Sequence, residues 1–124
     1  TPDRIDGKLS FKDVSFSYND DKEVIKKINL DIDNGKITAL VGPSGAGKST
    51  IFSLILKFIE PSNGSIFIDN YNLNKVNTNY LRRLIGIVPQ KTFIFSGTIS
   101  EAIRFGRPTT KANIVNAARI AKAH

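Results

Sequence analysis

The first third of the chain alternates apolar and polar residues with the period of two that is typical of β-strands. Residues 9–18 (LSFKDVSFSY) keep this alternation but change its phase near Asp13, which predicts a half-buried strand with a β-bulge. Residues 24–32 (VIKKINLDI) alternate in the same way and predict a second strand. We expect both strands to place one face on a hydrophobic core.

A turn and a more continuous apolar run follow these strands. The Asn34-Gly35 pair separates the second strand from residues 36–41 (KITALV). An Asn-Gly pair between two apolar runs is a strong signal for a β-hairpin. Because residues 36–41 become almost wholly apolar, we expect them to form a central strand that is buried on both faces.

The apolar residues then take helical spacing. Residues 49–59 (STIFSLILKFI) carry apolar side chains on both sides of a helix, so we expect a largely buried helix that ends before Pro61. The pattern further predicts strands at 64–69 and 85–89 and helices at 79–85, after Thr98, and after Thr109 or Thr110. A β-rich start followed by mixed strands and helices indicates an α/β or α+β fold.

A glycine-rich stretch, VGPSGAGKST at residues 41–50, joins the predicted central strand to the buried helix. It fits the pattern G-x-x-x-x-G-K-[ST]. Glycines let the backbone turn tightly so that N–H groups converge on an anion, and the helix start adds unpaired N–H groups and a positive dipole end. The stretch therefore predicts a nucleoside-triphosphate site, with Lys48 at the outer phosphates and the Ser49 hydroxyl on Mg²⁺. The residues of this phosphate loop are Gly42, Pro43, Ser44, Gly45, Ala46, Gly47, Lys48, Ser49 and Thr50.

Composition limits the other classes of protein. The 124 residues are 40% hydrophobic and 23% charged, as in soluble globular proteins, and the longest apolar stretch is too short to cross a membrane. The absence of cysteine excludes a disulfide framework or a thiolate metal site. The net charge is +7, and residues 70–124 hold nine Lys/Arg against one acidic residue, Glu101. Because these cations are scattered and not grouped with aromatic residues, we favour an acidic complement elsewhere over nucleic-acid binding.

Beyond the phosphate loop, the chain resembles the nucleotide-binding domain of ABC transporters, specifically of the exporter type. Residues 11–50 are similar to the opening of that domain, PSNGSIFIDNYNL to its antiparallel strand and turn, and LRRLIGIVPQKTFIFSGTISEAIRFGRP to its glutamine-loop region. The resemblance implies an α/β fold: a P-loop NTPase core of the ABC ATPase type with an N-terminal antiparallel β subdomain. Residues 1–124 would form the N-terminal part of this ATP-binding domain.

The resemblance also implies roles for two residues outside the phosphate loop. Tyr18 matches the aromatic residue that stacks on adenine, although alternation alone leaves open that Tyr18 belongs to the core stripe with Phe16. Gln90 matches the glutamine that reaches Mg²⁺ and the attacking water, since an amide offers both a carbonyl and an NH₂ group. The expected catalytic residues are thus Lys48 and Gln90, and the expected metal ligands are Ser49 and Gln90.

Two acid–base residues are similar to functional groups of the family but stand in the wrong place. Asp69 ends an apolar run, yet Asn70 follows where the family has a glutamate, so we expect Asp69 in a turn. His124 lies too early in the chain for the family's switch histidine. The sequence has no L-S-G-G-Q-type signature and no Asp-Glu pair ending a strand. We therefore expect only the first half of the catalytic apparatus here, with about as much domain again to follow.

The family resemblance implies the ATP-binding portion of an exporter's ATPase domain, which works with Mg²⁺ at the cytoplasmic face of a membrane. Its expected partners are a transmembrane domain and a second ATPase domain, and residues 93–95 (Phe93, Ile94 and Phe95) should face the membrane-embedded partner. Alone, the chain should lack turnover. Two other interpretations stay open: a soluble ABC-type ATPase acting on nucleic acid, and a non-catalytic nucleotide-binding module.

Overall fold

The computed structural model describes residues 4–19, 22–91, 93 and 96–123, which form two compact units, Thr1–Gly86 and Ile87–His124. The first unit contains the strands β1 (Leu9–Ser17), β2 (Glu23–Ile32), β3 (Asn63–Ile68) and β4 (Tyr71–Asn72), the helices α1 (Lys48–Ile55) and α2 (Thr78–Leu84), and a 3₁₀ turn at Leu73–Lys75. The second unit contains the helices α3 (Ile99–Arg104) and α4 (Lys111–Ile120).

The four strands of the first unit form one antiparallel sheet in the order β2-β1-β3-β4. Phe11 of β1 lies opposite Leu30 of β2 on one side and Ile66 of β3 on the other. The register of β1 shifts between Phe11 and Val14, where Asp13 has a φ of 48°. This confirms the predicted bulge and the predicted antiparallel subdomain.

The hydrophobic core of the first unit is a single cluster to which the sheet, both helices and the 3₁₀ turn contribute. Its buried members are Phe11, Val14, Phe16, Ile25, Ile51, Leu54, Ile55, Ile66, Ile68, Leu73, Val76 and Leu81. The segment predicted as a helix, residues 49–59, is less buried than expected, since Phe52 and Phe58 are 57% and 61% exposed. The helix also ends early, at Ile55, so Phe58 lies beyond its last turn.

Two of the predicted strands, at residues 36–41 and 85–89, do not form. The predictions were wrong because an apolar run becomes a strand only where neighbouring backbone pairs with its N–H and C=O groups. Within the described part of the chain, the sheet ladders do not include these residues, and Ile37 and Val88 are almost completely exposed. Asn34-Gly35 does form a turn, but the predicted hairpin is absent from the described residues because residues 36–41 are not paired.

Hydroxyl side chains start both helices of the second unit, as the sequence predicted. Thr98 is the N-cap of α3 and forms a capping box with Glu101. Thr110 is the N-cap of α4 and accepts a hydrogen bond from the Asn113 backbone N–H at 3.3 Å. Over the described residues, neither unit has a helix with the length and apolar character that crossing a membrane requires.

Candidate functional site

The phosphate loop forms a tight turn that leads directly into α1. Gly45 and Gly47 have φ values of 81° and 83°, in the left-handed region that glycine adopts without strain. The Ala46 N–H donates to the Pro43 carbonyl at 3.3 Å and closes the turn. Successive backbone N–H groups in such a loop make a concave anion-binding surface.

Gly47 also fixes where α1 begins, because its Cα lies against β2. A Cβ atom at this position would come within 2.6 Å of Ile25 Cδ1 and 3.3 Å of the Val24 carbonyl oxygen. Ile25 is itself buried in the core. The second glycine of the motif is therefore needed for close packing as well as for its backbone conformation.

The start of α1 leaves backbone donors available. Its N-cap, Gly47, makes no side-chain capping hydrogen bond, and the first turn holds no acidic residue. The first intrahelical bond runs from the Ile51 N–H to the Gly47 carbonyl at 3.1 Å. The N–H groups of the first turn and the positive end of the helix dipole are therefore directed toward the loop, which favours an anion there.

The Lys48 ammonium group lies over the phosphate loop itself. Its Nζ atom donates to the carbonyl oxygens of Gly42 and Pro43, at 2.7 and 2.6 Å. These bonds hold a positive charge beside the N–H groups of the loop. Cation, loop amides and helix start thus form one electropositive site.

Tyr18 lies next to this site, immediately after the last residue of β1. Its ring meets the Phe16 ring edge to face, with centroids 4.8 Å apart and an interplanar angle of 88°. Its hydroxyl oxygen is 3.3 Å from Oγ1 of Thr50 in the first turn of α1. Phe16 is buried whereas Tyr18 is 61% exposed, so of the two only Phe16 is a core residue.

Comparison with known proteins identifies the family. The ABC transporter family model matches residues 25–123. The chain belongs to the ABC transporter family.

Two members of the family are similar in sequence to nearly the whole of this chain. ABC transporter B family member 2 of Dictyostelium discoideum is 48% identical over 121 residues, which are 95% of this chain and 9% of that protein. The mitochondrial iron-sulfur clusters transporter atm1 of Neurospora crassa is 40% identical over 119 residues, 95% of this chain and 17% of that protein.

A solved structure confirms the fold class. A bacterial Atm1-family ABC exporter with ATP bound matches with a TM-score of 0.87 and 38% identity, over 94% of this chain and 21% of that chain. The chain therefore has the ABC ATPase fold that the sequence predicted. It spans about a fifth or less of the length of these relatives.

The remaining residues predicted from the ABC transporter resemblance lie in the second unit. Gln90 is in a bend and its side chain is exposed. Phe93 is 78% exposed, as a docking surface requires. Ile94, Phe95 and His124 lie outside the described residues. The roles assigned to Gln90 and Phe93 stay predictions.

Asp69 has a structural role in this ABC transporter chain, in agreement with the expected turn. It follows β3 with a φ of 53°, and its carboxylate accepts hydrogen bonds from the backbone N–H groups of Asp6, Gly7 and Lys8 at 2.8, 3.0 and 2.9 Å. The carboxylate thus ties the segment before β1 to the β3–β4 turn.

Sequence reasoning missed Arg82, which holds the far end of α1. Its Nε and Nη2 atoms donate to the carbonyl oxygens of Leu56 and Lys57 at 2.9 and 2.8 Å. Its guanidinium carbon lies 4.6 Å from the centroid of the Phe58 ring. A cation at the C-terminal end of a helix also offsets the helix dipole. The sequence gives no local signal for this contact, because 25 residues or more separate Arg82 from the carbonyls it binds.

Proposed function

We propose that this chain is the ATP-binding part of the ATPase domain of an ABC exporter. In the full-length protein, ATP hydrolysis would drive export of a substrate across a membrane. The observation that carries the proposal is the Lys48 ammonium group, held over a loop of left-handed glycines at the start of α1. The match to an exporter with ATP bound in its structure supports the same function.

The phosphate loop fits a nucleoside triphosphate in shape and charge. The turn at Gly45 and Gly47 can direct backbone N–H groups at phosphate oxygens, and the start of α1 carries no anionic side chain that would compete. Lys48 would exchange its two carbonyl acceptors for phosphate oxygens, which form stronger, charge-assisted hydrogen bonds. Gly42 to Thr50 are therefore the proposed phosphate-binding residues.

The Ser49 hydroxyl is the side chain of the phosphate loop best suited to hold Mg²⁺. Ser49 is in the first turn of α1 and is exposed, whereas Thr50 is buried. Mg²⁺ would neutralise charge on the outer phosphates. The assignment of Gln90 as a second Mg²⁺ ligand and as a water-orienting residue rests on the family resemblance alone.

Tyr18 is the proposed contact for the adenine base. Its ring is more than half exposed and lies beside the helix that carries the phosphate-binding residues. Stacking of a base on an exposed aromatic ring contributes about 1–3 kcal/mol. Recognition of ATP would thus combine a charged phosphate site with an aromatic base platform.

The partners and location follow from the exporter assignment. We propose that a transmembrane domain and a second ATPase domain complete the transporter, and that the site faces the cytoplasm. The chain contributes Lys48 and Gln90 toward hydrolysis but no acidic pair at the end of a strand. We therefore expect the chain alone to bind ATP without steady turnover, which a phosphate-release assay checks.

Titration calorimetry with Mg-ATP tests the proposed function. Lys48→Ala should weaken binding at least tenfold, because it removes a charge-assisted contact of about 1.5–3 kcal/mol. Lys36→Ala is the matched control: it removes the same charge from an exposed position after the Asn34-Gly35 turn, where Lys36 pairs with Asp33 at 3.0 Å. Equal affinity of the wild-type chain and Lys48→Ala would remove Lys48 from the phosphate site.

A further inference from the structure

We infer that Thr50 is a positioning residue for Tyr18: its hydroxyl anchors the aromatic platform to the phosphate-binding helix. This inference rests on the proposed ATP-binding function and deepens it. It gives Thr50 a role in base recognition in addition to its place in the proposed phosphate-binding loop.

The backbone alone does not fix the Tyr18 ring. Tyr18 follows the last paired residue of β1 and is 61% exposed, so the sheet ladder ends before it. Two side-chain contacts restrain the ring, and they act at different points. The Phe16 ring packs against the Tyr18 ring, and the Thr50 hydroxyl lies 3.3 Å from the phenolic oxygen at its far end.

Thr50 is suited to anchor the ring because its own position is fixed. It is 4% exposed and lies in the first turn of α1, three residues after Gly47. A buried hydroxyl needs a hydrogen-bond partner, and Tyr18 supplies one from the surface side. A β-branched side chain in a helix is also restricted at χ1, to two main rotamers for threonine. The Thr50 oxygen is therefore a restrained point to which the exposed tyrosine can bind.

The hydrogen bond links the two halves of the proposed site. The phosphates would bind at the start of α1, and the same helix would set the position of the base platform. A ligand with both a base and phosphates benefits from a platform that is already in place, since ordering a side chain on binding reduces affinity. A ligand with phosphates alone gains nothing from it. Loss of the hydrogen bond should therefore lower affinity for ATP and leave affinity for inorganic triphosphate unchanged.

The experiment is a double-mutant cycle in the whole chain, with two probes. Thr50→Val removes the hydroxyl at nearly constant shape, and Tyr18→Phe removes the other oxygen. Calorimetry with Mg-ATP and with magnesium tripolyphosphate should show Tyr18→Phe about three- to tenfold weaker for ATP, the range expected for one hydrogen bond, and Thr50→Val at least as weak. The double variant should be no weaker for ATP than Thr50→Val, and Thr50→Ser should restore ATP affinity. Tripolyphosphate affinity should stay within about twofold in Tyr18→Phe, since this change leaves the loop amides, Lys48 and Thr50 in place.

Three results would overturn the inference. Unchanged ATP affinity in Tyr18→Phe would show that the Tyr18 hydroxyl does not contribute to ATP binding. Because Tyr18 is exposed, this variant leaves the hydrophobic core unchanged. Additive losses in the double variant would show that the two hydroxyls act independently. A loss of ATP affinity in Thr50→Val no larger than its loss of tripolyphosphate affinity would assign Thr50 to the phosphates alone.

The proposed function fails separately from the inference. If the wild-type chain binds neither probe, the ATP-binding function is wrong and the role of Thr50 is wrong with it. If the wild-type chain binds both probes and Lys48→Ala loses both, the function stands and the cycle alone decides the inference. Thermal unfolding of each variant, without ligand, identifies any loss that comes from misfolding.

Discussion

Alanine substitution at the two left-handed glycines of the phosphate loop should give unequal results. Gly45 and Gly47 have nearly the same backbone conformation, with φ values of 81° and 83°. Their surroundings differ. A Cβ at Gly45 would have no atom within 4 Å, whereas a Cβ at Gly47 would collide with Ile25 Cδ1 and press on the Val24 carbonyl oxygen. Comparison of Gly45→Ala with Gly47→Ala therefore separates the cost of backbone strain from the cost of side-chain crowding.

The expected magnitudes follow from these two terms. An alanine in the left-handed region costs about 1–2 kcal/mol of folding free energy. Alanine also lowers the conformational entropy of the unfolded chain, which offsets about 0.4–1 kcal/mol of this cost at either position. Gly47→Ala adds overpacking of about 1–3 kcal/mol, because buried Ile25 has little room to move and the Val24 oxygen belongs to β2. Gly47→Ala should thus be about 1–3 kcal/mol less stable than Gly45→Ala.

Urea unfolding of the wild-type chain and both variants measures the difference. Mg-ATP titration of the same samples should show a larger loss for Gly47→Ala, because displacement of Gly47 from β2 also moves the start of α1. Equal free energies of unfolding for the two variants would refute the argument that packing against β2 fixes the helix start. A Gly45→Ala variant less stable than Gly47→Ala would refute it more strongly.

Three further predictions concern residues outside the phosphate loop. Asp69→Ala should lower the free energy of unfolding by about 1–3 kcal/mol, because three backbone N–H groups lose their acceptor, with no change in the Mg²⁺ dependence of ATP binding. Hydrogen bonds from the backbone N–H and the hydroxyl of Thr98 hold the pKa of Glu101 below its ordinary value of 4.5. Since the folded pKa is the lower one, the stability this carboxylate gives α3 should be complete above pH 4.5 and lost as the pH falls through the folded pKa, as an NMR titration of α3 would show. Arg82→Gln should destabilise the first unit by about 1 kcal/mol in thermal unfolding, because the carbonyl groups of Leu56 and Lys57 lose their donor.

Local patterns predicted the features that depend on neighbours in sequence. The bulge at Asp13, the Thr98 cap and the phosphate loop each involve residues a few positions apart, so propensity and spacing were sufficient. The strands predicted at 36–41 and 85–89 needed partners that sequence periodicity does not specify, and the described residues do not pair with them. Apolar character shows that a segment favours burial, and only tertiary structure decides what covers it.

The contacts that shape the candidate site are long-range and were not predictable in this way. Tyr18 and Thr50 are 32 positions apart, and alternation along β1 would have placed Tyr18 with Phe16 in the core. In the structure Tyr18 lies outside the core, because β1 ends at Ser17 and the chain then leaves the sheet. Family resemblance identified Tyr18 as a candidate, but the hydrogen bond to Thr50 became visible only in three dimensions.

Helix α1 is held at both ends by contacts between residues that are distant in sequence. At its start Gly47 packs on β2, and beyond its end Arg82 binds the carbonyls of Leu56 and Lys57. The eight residues of the helix span only about 12 Å, so a displacement at one end is transmitted to the other. The proposed phosphate-binding amides, Lys48 and the proposed anchor for Tyr18 all lie in this helix or at its start. We therefore expect loss of the Arg82 contacts to affect the candidate site through the position of α1, although Arg82 lies at the opposite end of the helix from the phosphate loop.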